Sequence, residues 1–538
     1  MTTPTTLTTP TTPTIPPNPD SAIAIARDVR ARTRTAHSIT RESLDRLHAI
    51  NPAINAFTQT FADTALAHAK WIDEQCAASH AAHLPLAGVP IAIKDNICIG
   101  PDATPSPTLP GIAGKTTCAS RMLEHYKSPF TATAVSRLIR AGAIIIGKTN
   151  LDEFAMGSSG ENSAFGVTRN PWNHAHVPGG SSSGSAAAVA ARICPVALGS
   201  DTGGSIRQPA AFCGLVGLKP TYGRISRYGL VAYASSLDQI GPLTTNVADA
   251  ALILEIINGQ DLHDATSSSR APFLASNVFE SISANVITSS SPLHIGPFRI
   301  GVVRKAIDAA NHPAVTQALH RTIAAFKARG DTIIDIDLPM LDAAIAAYYV
   351  VAPAEAASNL ARFDGVRYGY RATLAPNEGL ETMYARSRGQ GFGPEVLRRI
   401  MLGTHVLSSG YYDAYYITAS KARRAILNDF NAAFEGINTN FACDVILMPT
   451  TPGPAFAIGS KTTDPMAMYL EDIYTVAINL AGLPAINIPA GFTNYADQET
   501  QPLPVGVQLV GRAFDESRLL AVAHALESAL NIKPPQLP

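Results

Sequence analysis

Two serines stand in loops built almost entirely of small residues. Ser181 lies in Pro178-Gly-Gly-Ser-Ser-Ser-Gly184 and Ser205 in Gly199-Ser-Asp-Thr-Gly-Gly-Ser205, 24 residues apart. Glycine and serine leave backbone N–H groups uncovered, so Thr202, Gly203, Gly204 and Ser205 can turn several donors toward one point. Stabilising an oxyanion requires such convergence, and a hydroxyl nucleophile at the end of the same loop would sit beside it. A single Gly-Gly-Ser is ordinary turn chemistry. Two of them flanking a helix and a strand, preceded by Lys94 at the end of the run Leu86-Ala-Gly-Val-Pro-Ile-Ala-Ile93, point instead to acyl transfer. A lysine at the end of a buried strand is desolvated, and burial can lower its ordinary pKa of about 10.4 by up to about 3–5 units.

Other patterns match by letter and fail by mechanism. Gly142-Ala-Ile-Ile-Ile-Gly-Lys148-Thr149 fits G-x-x-x-x-G-K-[ST]. A phosphate cradle needs a loop of free amides, however, and three consecutive isoleucines favour a buried strand. Gly180-Ser-Ser182-Ser-Gly184 fits G-x-S-x-G, but loop residues precede it where a nucleophile elbow requires a strand. His174 and His176 have no Cys, Asp or Glu beside them at ligand spacing, so no metal site is expected.

The surrounding pattern indicates what must position these residues. Residues 21–80 read as helices, with Thr40 as an N-cap; 90–94 as a strand; 131–140 as a helix leading into a strand at 143–146. Helix and strand signals alternate to about residue 258. Further strands are expected at 298–303, 444–448 and 505–510, and a helix at 313–328. Alternation of this kind indicates an α/β layer sandwich. Residues 100–114, rich in Pro and Gly, and the Ser-rich 262–295 read as surface excursions.

No linker inside residues 20–530 is polar enough to divide domains, so a single domain over residues 20–538 is expected. It comprises N-terminal helices at 20–80, a catalytic core at 85–260, an insertion at 262–295 and a pocket-forming part at 296–530. Residues 1–19, almost all Thr and Pro, are expected to be a disordered tail. Of 538 residues 46% are apolar and 15% charged, which indicates a large interior. Lys plus Arg total 41 against 42 acidic residues, and a net charge of −1 offers no global field for nucleic acid or an anionic membrane. The six cysteines are dispersed without a C-x-x-C pair, as in a reducing compartment. The longest apolar candidate, 185–198, is interrupted by Arg192 and Pro195, so no membrane span is expected.

The span from Lys94 to Pro242 resembles the amidase signature family. The resemblance continues through 359–369, Arg398-Arg-Ile-Met-Leu-Gly403, 408–416, Asp464-Pro-Met-Ala-Met-Tyr469 and 479–484, covering about residues 20–530. Within the family these blocks are similar to the glutamine-hydrolysing subunits of tRNA-dependent amidotransferases. The resemblance implies a three-layer α/β/α sandwich around a large twisted mixed sheet. It also implies a triad of Lys94 as base, Ser181 as bridging serine after a cis peptide, and Ser205 as nucleophile. Arg207 would brace the nucleophile loop. For glutamine it implies Arg398 at the α-carboxylate, Asp464 at the α-ammonium and Tyr349 lining the pocket. Arg399, Asp472 and Tyr348 stand near enough to take these parts, and the alternatives stay open here. Ser183 replaces a family glycine and is small enough for the loop to survive.

By the same resemblance the chain would release ammonia from glutamine in the cytoplasm. Partner subunits B and C would use ATP and Mg2+ to convert Glu-tRNA(Gln) to Gln-tRNA(Gln), and this chain would carry no cofactor. The alternative within the same chemistry is a stand-alone amidase acting on small amides; outside it, an inactive scaffold or a nucleotide-binding module.

Overall fold

Side-chain alternation along one strand assigns the two faces of the molecule. In Val445–Pro449, Val445 and Leu447 join an apolar cluster with Leu319, Leu519 and Ala523, while Ile446 and Met448 join another with Val351, Phe430 and Ile478. Successive side chains of a strand point to opposite faces, so both faces of the sheet are covered. The structure is a computed structural model that describes residues 21–278, 297–307, 309–437, 442–493 and 501–533.

Eleven strands form one mixed sheet: β1 Phe57–Thr60, β2 Pro90–Lys94, β3 Ile144–Thr149, β4 Val196–Asp201, β5 Val216–Lys219, β6 Gln239–Thr244, β7 Arg299–Val303, β8 Thr332–Ile336, β9 Val445–Pro449, β10 Ala485–Phe492 and β11 Pro504–Val510. Their order across the sheet is β1-β3-β2-β4-β6-β5-β10-β11-β9-β7-β8. Helices lie on both sides, giving the expected three-layer α/β arrangement. β2 runs parallel to both β3 and β4, with Ile93 opposite Leu198. Lys94 and the Ser200-Asp201 pair therefore emerge side by side at the carboxyl ends of neighbouring strands. Between β3 and β4, the helix Ser183–Ala190 is buried along its whole length. Its small residues permit this closeness: a Cβ on Gly184 would lie 2.2 Å from the Ala56 carbonyl oxygen.

The helix expected at 313–328 spans Pro313–Ala328, and the strands expected from the apolar runs fall on β2, β3, β7, β9 and β11. Two local readings change. Thr40 is not a cap but lies buried inside the helix Ala36–Ile54, whose N-cap is Thr35, accepting from the Ser38 amide. Residues 21–80 are also not wholly helical, because β1 interrupts them. Four residues are too few for a periodic signal, and β1 exists through its antiparallel pairing with β3. Residues 100–114 pass without helix or strand. The expected tail lies outside the described residues, as do residues 279–296 of the Ser-rich stretch. Among the described residues one helical segment, Pro339–Leu360, is long and apolar enough to cross a membrane, and half of its most apolar window is buried in the fold.

Candidate active site

Lys94 ends β2 with no exposed surface. Its Nζ lies 2.7 Å from Ser181 Oγ, 2.9 Å from Ser182 Oγ and 3.0 Å from Ser200 Oγ, with the Ser200 carbonyl at 3.3 Å. Among the described residues no carboxylate pairs with it directly. Burial lowers its pKa to about 7, against the opposing charges of Asp152, Asp201 and Asp238. An amine so placed is neutral in a large fraction of molecules near pH 7 and can accept a proton from the nearest hydroxyl, that of Ser181.

Ser181 follows a cis peptide from Gly180, as expected. The loop is held by the buried Asp152, whose amide donates to the Ser181 carbonyl at 3.2 Å and whose carboxylate accepts from Gly160 and Asn162. A Cβ on Gly180 would lie 1.9 Å from Asp152 Oδ2, so only glycine fits there. Ser183, expected to be small enough for the loop to survive, is buried. It opens the buried helix, its hydroxyl 3.3 Å from Thr168 Oγ1.

The two serine loops meet where the Ser182 amide donates to the Ser205 carbonyl at 3.2 Å. Asp201, at the end of β4, accepts from the amides of Gly204 at 2.8 Å and Ile206 at 3.2 Å, on either side of Ser205. This corrects the expected donor set. The Gly204 N–H is occupied, while those of Thr202, Gly203 and Ser205 make no hydrogen bond among the described residues. The reason is local, since an aspartate accepts readily from the amides a few residues ahead of it. Burial alone would raise the Asp201 carboxyl; the Arg207 guanidinium outweighs it and holds it at about 2. Arg207 is itself fully buried between Asp201, Gln508, the Thr475 carbonyl and Asn479. It braces the loop as expected.

The pocket residues separate into two groups. Arg398 is 44% exposed and pairs with Glu395 on the surface of the helix Pro394–Val406. Asp464 is exposed and caps the helix Pro465–Tyr469, accepting from the amides of Met466 and Ala467. Their neighbours are buried in one cluster that reaches the nucleophile loop through Tyr348 and Thr475. Arg399 is 2% exposed and donates to Glu395, Tyr233 Oη and the Gly157 carbonyl. Tyr349 lies 5.4 Å from the Arg399 guanidinium, its ring stacked on Tyr469. Tyr348 borders the nucleophile loop, its Oη 2.6 Å from where a Cβ of Gly203 would be.

Asp472 is buried and accepts from Ser158 Oγ at 2.7 Å, while its Oδ1 has no partner among the described residues. Burial raises its carboxyl to about 7, so an incoming cation would find a desolvated acid ready to ionise. Three residues on, Thr475 Oγ1 donates to the Gly203 carbonyl at 2.6 Å. A buried guanidinium, a buried carboxyl and two tyrosines thus form a cluster that meets the Ser205 loop through Tyr348 and Thr475. Ser200, Asp152 and the clamp by Asp201 were not singled out from the sequence. Only Asp201 carried a signal, its place three residues before Gly204 in a turn-forming segment.

The remaining sequence patterns find other roles. Lys148 is fully buried within β3, ion-paired with Asp95 at 3.0 Å and donating to the Ile97 carbonyl at 2.7 Å. It cannot reach a phosphate. Ser182 follows a loop and bonds to Lys94 and the Ser200 carbonyl. The loop around His174 and His176 is anchored by backbone bonds to 170 and 457–458.

The sequence matches the Amidase family over residues 38–520. It is 49% identical over 507 residues to the A subunit of glutamyl-tRNA(Gln) amidotransferase from Symbiobacterium thermophilum, covering 94% of this chain and 96% of that one. The protein of the same name from Coxiella burnetii is 49% identical over 500 residues, covering 93% and 95%. Among solved structures, the A subunit of glutamyl-tRNA(Gln) amidotransferase from Thermotoga maritima superposes with a TM-score of 0.71 at 38% identity, over 94% of this chain and 95% of that one. The peptide amidase of Stenotrophomonas maltophilia gives 0.73 at 28% identity, over 96% and 98%.

Proposed function

Because the chain belongs to the amidase signature family, we propose that it hydrolyses the side-chain amide of glutamine as the A subunit of a glutamyl-tRNA(Gln) amidotransferase. One observation carries the reading: a dry lysine amine lies 2.7 Å from a serine hydroxyl, and a cluster holding a buried guanidinium and a buried carboxyl reaches the nucleophile loop through Tyr348 and Thr475. Glutamine presents an α-carboxylate and an α-ammonium, one charge for each. We assign these to Arg399 and Asp472, with Tyr348 and Tyr349 lining the space between.

Neutral Lys94 takes the Ser181 proton while Ser181 takes that of Ser205, and Ser205 Oγ bonds to the amide carbon. The carbonyl electron pair moves to oxygen, which faces the N–H groups of Thr202, Gly203 and Ser205. Each donor contributes about 3 kcal/mol to the transition state. On collapse the C–N bond breaks, the nitrogen takes the proton returned through Ser181, and ammonia leaves a glutamyl ester on Ser205. Water, giving its proton to the same relay, then releases glutamate.

An amidotransferase of this kind requires further subunits. In our reading these are subunits B and C, which use ATP and Mg2+ to activate Glu-tRNA(Gln) and receive the ammonia. The net charge of −1 agrees with the tRNA being held elsewhere. The test is ammonia release from glutamine by the chain alone and with subunits B and C, Glu-tRNA(Gln) and ATP. The expected result is Gln-tRNA(Gln) formed only in the full mixture and lost with Ser205→Ala. Hydrolysis of small amides but not of glutamine, with or without partners, would mark a stand-alone amidase.

A further inference from the structure

Gln208 is completely buried on the first turn of the helix Arg207–Cys213, three residues after Ser205, and it takes no part in the proton relay. Its side-chain amide spans two loops. Oε1 accepts from the Gly180 N–H at 2.9 Å, and Nε2 donates to the Ser158 carbonyl at 2.7 Å. One neighbour is a donor and the other an acceptor, so only this orientation of the amide satisfies both. Ser158 continues the chain, its hydroxyl donating to Asp472 Oδ2 at 2.7 Å. Gly179 is closed over the same side chain: a Cβ there would lie 2.5 Å from Gln208 Oε1. A buried hydrogen-bonded path therefore runs from Asp472 through Ser158 and Gln208 to the peptide that precedes Ser181.

We propose that Gln208 is a positioning residue for the hydrolysis, locking the loop that carries Ser181 to the loop that holds Asp472. The inference rests on the glutaminase function proposed for this site. Without the Gln208 amide, the Gly180 N–H and the Ser158 carbonyl lose their partner in a dry interior; the Ser158 loop keeps its bonds to Arg399, Asp472 and Asp152, so the loop that carries Ser181 is the one that shifts. Arg399, Asp472, Tyr348 and Tyr349 stay in place, so substrate affinity is little affected; the register between Ser181 and Ser205 is what suffers.

The experiment uses the full chain with its partner subunits and two variants. Gln208→Met keeps the length and removes both hydrogen bonds. Gln208→Glu restores donor and acceptor when protonated and sets a carboxylate against the Ser158 carbonyl when ionised. Ammonia release from glutamine is measured across pH, together with the rate at which phenylmethylsulfonyl fluoride labels Ser205, which reads nucleophilicity without glutamine.

For Gln208→Met the expected result is a fall in kcat and in labelling rate of at least about tenfold, with KM within about threefold of the parent. For Gln208→Glu, activity relative to the parent at each pH should rise toward acid. Parent-like kcat and labelling in a folded Gln208→Met, or a Gln208→Glu deficit that does not vary with pH, would overturn the proposal. If the parent labels rapidly but releases no ammonia from glutamine, the glutaminase reading fails while the labelling rates still judge Gln208.

Discussion

Lys94 Nζ stands 2.7 Å from Ser181 Oγ, and no part of the lysine reaches solvent. Its hydrogen-bonding neighbours are hydroxyl and carbonyl oxygens, and burial favours the neutral amine against the opposing carboxylates of Asp152, Asp201 and Asp238. Lys94→Arg puts a permanently charged group where a base is needed, and Lys94→Ala removes the base. Both variants should lose about 10²–10⁴-fold in kcat for ammonia release, with little or no recovery at high pH. Ser205→Ala should retain no measurable activity; more than a few per cent of parental turnover would refute the nucleophile assignment.

The pKa of Lys94, lowered by burial to about 7, sets the acid limb. The working form is the neutral one, so kcat/KM should rise as pH rises through about 7 and level off above it. Among the opposing charges the Asp152 carboxylate ranks first in holding the Lys94 proton. Asp152→Asn removes that charge with little change of shape, so the midpoint should move to lower pH. A pH profile of the two proteins checks the sign; an unmoved or higher midpoint would contradict the electrostatic account.

Pocket variants should divide by burial. Arg399→Met and Asp472→Asn should raise KM for glutamine by about tenfold or more, since each removes a buried partner of opposite charge to the substrate. Arg398→Met and Asp464→Asn change an exposed ion pair and an exposed cap, and should leave KM within about twofold. Steady-state kinetics on the four variants tests the assignment directly.

Lys148 should matter to stability and not to nucleotide binding. Lys148→Met leaves the Asp95 carboxylate buried without its cation, a loss of about 3–5 kcal/mol for a broken buried pair. A lowered Tm is the expected outcome. Loss of ATP binding by the isolated chain would instead revive the phosphate-loop reading.

The class of chemistry was legible in the sequence because its signals are local. Small residues around Ser181 and Ser205 prescribe close backbone approach, and the apolar run before Lys94 prescribes a buried strand end. The Ile run at 144–146 prescribed a strand where a letter pattern suggested a phosphate loop, and β3 bears that out. Elements with whole periods of pattern, such as Pro313–Ala328, were equally plain. Those depending on a partner, such as β1, were not.

Tertiary structure decided which member of each neighbouring pair is buried. One residue along a helix turns the side chain by about 100°, so Arg398 and Arg399 differ only in phase, and packing on the Tyr233 side buries the second. Asp464 and Asp472 differ in where their carboxylates bond: the first accepts from the amides of its own helix, the second from Ser158, 314 residues away. The same holds for the amides of the nucleophile loop, where Asp201 occupies Gly204 while the Ser205 amide has no partner among the described residues, and for Gln208, whose partners lie 28 and 50 residues distant. Residue type and spacing specify what a segment can do; only the meeting of distant segments determines which polar atoms are already satisfied and which remain to act on a substrate.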